Sequence, residues 1–355
     1  MWSGCRDSDR CPTAHGSDGD AACYHWDPVP GAVDFPMSDP SDLTRLLSVL
    51  APLLGDRLST DAAAREAHAA DVSHHAPAPP EAVCWPVSTE EVSEVVKACA
   101  EHGVAVIPYG TGTAVEGGVV AVQGGLCVDT SQMNRIVAIH PRDMDAVVQA
   151  GVTHEQLNEH LAGERAGVFF SVDPGADAAL GGMAATSASG TNAVRYGTMR
   201  ENVLSLEAVM ADGSVVRTGG RARKSVAGYD LTSLLVGSEG TLAVITEVTV
   251  RLAPVPAAIS AAVCPFPSIE LAVDAVIACL AEGIPLARME LLDEVQMDAV
   301  NRYSGLAYTP APTVFFEFHG SAAAVEEQAE AVGQLVKAHQ GREFVWATDE
   351  DERQR

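Results

Sequence analysis

The chain has 355 residues, 47% of them hydrophobic and 20% charged, and 22 Lys+Arg against 48 Asp+Glu give a formal net charge of −26. This is the composition of folded protein with room for two domains, and its acidic excess excludes a nucleic-acid binder or a polybasic membrane-surface protein, since both need cationic faces. No run of 18 apolar residues occurs, so no transmembrane helix is predicted.

The first 36 residues hold two Arg, six Asp, four Gly and four Pro without apolar periodicity. They lack the apolar core of a signal peptide and carry the acids that transit peptides avoid. The expectation is a disordered or spurious extension on a cytoplasmic protein, peripheral at the inner membrane at most. Cys5, Cys11 and Cys23 lie near His15 and His25 but match no standard zinc spacing. The eight cysteines include no Cys-x-x-Cys pair and read as scattered thiols, not a disulfide framework. Residues 37–76 form a helical lead-in, with an amphipathic run from Leu43 to Leu54.

Cys84-Trp85-Pro86 ends an extended segment, and Ser88 with Glu91 predicts a capping box. Val92, Val95, Val96 and Cys99 then mark one helix face, which Gly103 closes. Val104–Ile107, Leu126–Asp129 and Ala146–Ala150 read as strands, and Thr153 with Gln156 caps a helix to Leu161. Val203–Met210 and Ser214–Thr218 flank Asp212-Gly213, a hairpin signal. Leu242–Leu252 alternates as a long strand before Pro254 and Pro256 mark a boundary. Beyond it, helices over 267–281, 294–303 and 322–339 alternate with strands over 285–292 and 313–318. The order predicts a small ferredoxin-like domain, cut short at Arg355.

Three glycine-rich stretches stand out. The first is Pro108-Tyr109-Gly110-Thr111-Gly112-Thr113-Ala114-Val115-Glu116-Gly117-Gly118. Such a loop turns N–H groups inward and suits a pyrophosphate. After Gly112 the next glycine is Gly117, which fails the Rossmann spacing, and no Lys-Ser/Thr follows Gly118 as a Walker loop requires. The second stretch runs Asp173-Pro174-Gly175, Gly181-Gly182-Met183, Ser189-Gly190-Thr191-Asn192 and Arg195-Tyr196-Gly197. Its small residues suit a flat ligand, or equally a close helix–backbone contact. The third is Gly237-Ser238-Glu239-Gly240-Thr241-Leu242.

Together these stretches resemble the FAD-linked oxidases of the vanillyl-alcohol oxidase fold, in the D-lactate dehydrogenase (cytochrome) and glycolate oxidase large-subunit branch. The matching segments are 108–118, 173–203 and 236–242, with weaker ones at 287–295 and 315–320, and the resemblance runs from about Thr44 to about Trp346. It implies an α+β chain, with a PCMH-type FAD-binding domain over 77–256 and an incomplete ferredoxin-like cap over 257–355. It also implies oxidation of a small D-2-hydroxy acid, D-lactate first, with electrons passed to a cytochrome or quinone.

Carried over by position, Pro108, Gly110, Thr111, Gly112, Thr113, Gly117 and Gly118 are expected to wrap the FAD pyrophosphate. Asp173, Pro174, Gly175, Gly182, Ser189, Gly190 and Asn192 would flank the flavin, and Glu239, Gly240, Thr241 and Ile245 would close over the adenine side. Ala114 stands where relatives usually carry Gly. None of residues 108–118 is His, so the FAD is expected to be non-covalent. The family's divalent metal motif, His-x-Gly-Asp-Gly-Asn-x-His, and its substrate Arg are absent from these 355 residues. The expectation is therefore a chain incomplete for catalysis. His319 is a candidate base, with a strand-end histidine as its plainer reading, and Arg288 reads as an ion-pair partner. Two alternatives remain: a non-catalytic FAD-binding subunit needing a partner chain, and a reductase similar to UDP-N-acetylmuramate dehydrogenase, against which the Asp-Pro-Gly and Arg-Tyr-Gly runs weigh.

Overall fold

The computed structural model describes residues 40–222 and 224–347. The 1–36 extension, the Cys5/Cys11/Cys23 grouping and the charged tail from Asp349 lie outside the described residues.

Helix Pro40–Leu54 turns Leu46, Leu50 and Leu54 inward at a four-residue spacing. They pack on a sheet of four short strands ordered Leu58–Ser59, Ala82–Cys84, Leu126–Asp129, Val106–Tyr109, whose last three are parallel. Helix Thr89–His102 crosses over between the second and fourth of these. It has two buried faces: Val95, Ala98 and Cys99 point to this sheet, while Val92 and Val96 meet Met133, Val209 and Val244.

The first glycine loop thus starts from a strand shifted two residues beyond the predicted Val104–Ile107, with Pro108 and Tyr109 inside it. The predicted capping box at Ser88 is half made. Ser88 Oγ accepts from the Glu91 amide, but the Glu91 carboxylate turns to the Val87 amide and to Arg57. A cationic guanidinium 34 residues away wins the carboxylate because a charged pair outweighs a neutral amide bond.

A second sheet is antiparallel, ordered Ile136–His140, Asp145–Gln149, Ala243–Arg251, Val203–Met210, Val215–Gly219. Its inner face packs on helices His154–Gly163 and Leu180–Thr186 through Val148, Leu157, Leu180, Met183 and Val248. Gly181 is small because a methyl group there would meet Ala150 Cβ at 2.5 Å.

The cap carries strands ordered Leu286–Leu292, Thr313–Gly320, Ala258–Pro265, Val345–Ala347, all antiparallel. In chain order this is 2-3-1-4, the strand order of a ferredoxin-like sheet. The expectation missed Ala258–Pro265, whose inward residues Ser260, Ala262 and Cys264 are too small to announce a strand. Helices Ile269–Ala281 and Ala322–Ala338 cover this sheet through Ala272, Ala275, Val325 and Val332. Cys84, Cys99, Cys127, Cys264 and Cys279 are free and buried, and burial pushes each thiol up, Cys99 to about 12.

Candidate functional site

An open cleft, about 950 Å³ of space including the solvent at its mouth, runs between the two sheets of the first domain. It gathers all three glycine stretches. From the first come Pro108, Gly110, Thr111, Gly112, Thr113 and Gly118. Pro174 and Gly182 come from the second, and Glu239, Gly240 and Ile245 from the third.

The floor of the first stretch is its parallel strand. Tyr109 fills space against Gly112, which has φ +67°, and a side chain there would strike the Tyr109 hydroxyl. The amides of Thr111, Gly112 and Thr113 make no backbone hydrogen bond among the described residues. A loop with such free donors is an anion nest. Beneath Tyr109 lies His68, ring centroids 4.5 Å apart. His68 Nδ1 donates to Ala64 O at 2.7 Å and Nε2 to Asp129 Oδ2 at 3.0 Å. Two acceptors require both ring nitrogens protonated, and the Asp129 bond, ahead of burial, holds the imidazole above its ordinary range.

The second stretch enters through helix Leu180–Thr186. Gly182 lines the cleft, and a Cβ on it would meet nothing within 4 Å, so its missing side chain is cleft volume. The third stretch is pinned by the Gly237 amide donating to Ala184 O and the Glu239 amide to Ala185 O. Glu239 holds φ +50°, an uncommon conformation for a residue with a side chain. Beside it the Ser238 hydroxyl is buried and has no partner among the described residues.

Seven expected residues sit outside the lining. The Gly117 amide donates to Asp71 Oδ2 at 2.9 Å, and the His75 ring covers its α-carbon. Asp173 accepts from the Asn192 amide and the Thr191 hydroxyl, both at 3.0 Å, over Gly190. Gly175 and Ser189 are exposed, and Thr241 donates to Ser238 O. Sequence reasoning missed Thr130, Ala179 and Val244, which line the cleft from neighbouring strands and helices with no motif of their own. His319 is also away from the cleft. Its Nδ1 accepts from Tyr196 Oη at 2.8 Å, and its Nε2 donates to Glu317 at 2.6 Å. Arg288 bonds Asn192 Oδ1 at 3.0 Å and pairs with Asp173 and Glu317, tying the cap to the Asp173 clasp. Among the described residues, no ionisable side chain other than Tyr109 and Glu239 lines the cleft.

Residues 80–219 match the FAD binding domain family, and residues 255–355 match the C-terminal domain of FAD linked oxidases. The chain is 50% identical over 315 residues to a "Probable D-lactate dehydrogenase, mitochondrial" of Danio rerio, covering 88% of this chain and 63% of that one. It is 48% identical over 306 residues to "D-lactate dehydrogenase [cytochrome], mitochondrial" of Arabidopsis thaliana, covering 86% and 54%. The chain thus spans less than two thirds of the length of either relative. Among solved structures, an alkyldihydroxyacetonephosphate synthase superposes with TM-score 0.72 at 23% identity, covering 88% of this chain and 62% of that one. A p-cresol methylhydroxylase does so with TM-score 0.68 at 19% identity, covering 88% and 67%. These two likenesses speak to the fold alone.

Proposed function

Because the chain joins the FAD binding domain to the C-terminal domain of the FAD linked oxidases, we propose that it serves the FAD-dependent oxidation of a small D-2-hydroxy acid, D-lactate first, to the 2-oxo acid. Electrons then pass to a cytochrome or another acceptor. The reading of substrate and acceptor rests on the names of the relatives; the reading of the cofactor rests on the cleft.

The residues present fit FAD. Three stretches distant in sequence converge on one cleft, with free loop amides on one wall and a side-chain gap at Gly182 on the other. That convergence is the observation that carries the proposal. Bound there, FAD supplies the acceptor for the hydride that leaves C2 of the substrate. The amides of Thr111, Gly112 and Thr113 hold the pyrophosphate. Pro174, Ala178 and Ala179 exclude water along the opposite side. Arg288 holds the cap in register with Asp173 and Asn192. No His lies in the loop 108–118, so the cofactor is held without a covalent bond.

The test is anaerobic mixing of the FAD-loaded protein, isolated from its own cells, with D-lactate and with L-lactate. D-lactate is expected to bleach the flavin and L-lactate to leave it oxidised. Bleaching by L-lactate alone, or by NADPH alone, contradicts the proposal, and the second result favours the reductase alternative.

A further inference from the structure

At the start of helix His154–Gly163, the side chains of His154, Glu155 and Asp177 converge. One ring nitrogen and two carboxylate oxygens lie within 4.8 Å of one another. His154 is 8% exposed. Its Nδ1 is buried and has no hydrogen-bond partner among the described residues, and Asp177 Oδ1 stands off at 3.5 Å. Native structures rarely leave a buried ring nitrogen unbonded.

Helix capping does not account for the cluster. Thr153 and Gln156 already form a full reciprocal box at this terminus. The Asp177 carboxylate reaches the Glu155 amide only at 3.4 Å. Asp177 is thus held at the helix start by one long bond among the described residues, opposite an imidazole nitrogen that has none.

We propose that His154 Nδ1, Asp177 and Glu155 bind a divalent first-row metal ion, zinc foremost, with water completing the shell. One imidazole and two carboxylates are a zinc-type donor set. Ligand atoms about 2.0–2.2 Å from zinc sit roughly 3.3–3.5 Å apart in a tetrahedron, and the His154–Asp177 separation already matches that spacing. Glu155 is exposed and closes the remaining gap by rotating its side chain. A bare cation is disfavoured at a helix N-terminus, and the two carboxylates offset that cost.

The site adjoins the cleft. Asp177 precedes Ala178 and Ala179, which line it, and the His154 amide donates to Ala178 O at 3.1 Å. A bound ion pins this wall to the helix, so it slows loss of whatever the cleft holds.

The test uses chelator-stripped protein without a polyhistidine tag, carrying Cys5→Ser, Cys11→Ser and Cys23→Ser so that no N-terminal thiol competes. Zinc is titrated by calorimetry, and cobalt(II) by its visible absorption. One ion per chain is expected at micromolar affinity or tighter, weakened at least tenfold by His154→Gln. Asp177→Asn and Glu155→Gln change exposed side chains, spare the fold and should weaken it similarly. Absence of binding, or binding that Asp177→Asn and Glu155→Gln leave unchanged in protein of unaltered melting temperature, overturns the proposal.

Discussion

Gly190 lies directly over the backbone of Asp173, so close that a Cβ on Gly190 would overlap the Asp173 carbonyl oxygen and its Oδ1. The same carboxylate accepts from Thr191 and Asn192, which makes residues 173 and 190–192 one clasp beside the cleft. In Gly190→Ala the obstructing atoms include backbone and cannot simply rotate away. Overpacking of this kind costs about 1–3 kcal/mol. The expected outcome is a melting temperature lower by several degrees, with weaker FAD retention, read by thermal denaturation and by flavin content after gel filtration.

Gly182 offers the opposite experiment. It lies inside a helix, and a Cβ there meets nothing within 4 Å. Gly182→Leu replaces a poor helix former, a gain of up to about 1 kcal/mol. Its side chain then occupies the cleft. The apoprotein should melt no lower than the parent, while FAD affinity falls at least tenfold by fluorescence titration. Undiminished FAD affinity would place the cofactor elsewhere.

The His68–Asp129 pair makes stability depend on pH. The folded pKa of His68 is raised, chiefly by the Asp129 bond. Its contribution is therefore complete below the unfolded value of about 6.5 and is lost as pH rises through the folded value. The melting temperature of the parent should exceed that of His68→Gln by more at pH 6 than at pH 8.5. A gap that widens with rising pH contradicts the assignment of charge to His68.

The cleft lining also limits what these residues do alone. Among the described residues its ionisable side chains are Tyr109 and Glu239, and burial pushes the Tyr109 phenol up, so it keeps its proton at neutral pH. A positioned base contributes about 10²–10⁴-fold to such a reaction. Residues 1–355 expressed alone and loaded with FAD should bleach only slowly with D-lactate under anaerobic stopped flow. Fast bleaching by D-lactate and not L-lactate would assign the base to a group already in this chain.

Much of this architecture was legible in the sequence where local rules and tertiary packing agree. Thr153 and Gln156 form the box their spacing predicts, and Asp212-Gly213 turns the hairpin between Val203–Met210 and Val215–Gly219. Legibility failed where a distant partner intervenes, as when Arg57 takes the Glu91 carboxylate from Ser88. Small residues carry two meanings that sequence cannot separate. Gly182 leaves room in the cleft, whereas the adjacent Gly181 avoids Ala150, and both read as the same glycine pair. Asp173 and Asn192 sit in the stretch that resembles a flavin-binding segment, yet in the fold they bond each other and Arg288. Thr130 and Val244 reach the cleft only because two sheets meet there, which no local pattern records.

The most direct test of the cofactor site is the fate of flavin in protein saturated with FAD, freed of excess and precipitated with acid. About one FAD per chain should appear in the supernatant, with clearly less in Gly182→Leu treated alike. Protein that takes up no FAD, or flavin that stays with the precipitate, would contradict a non-covalent FAD site built from residues 108–118, 173–192 and 237–245.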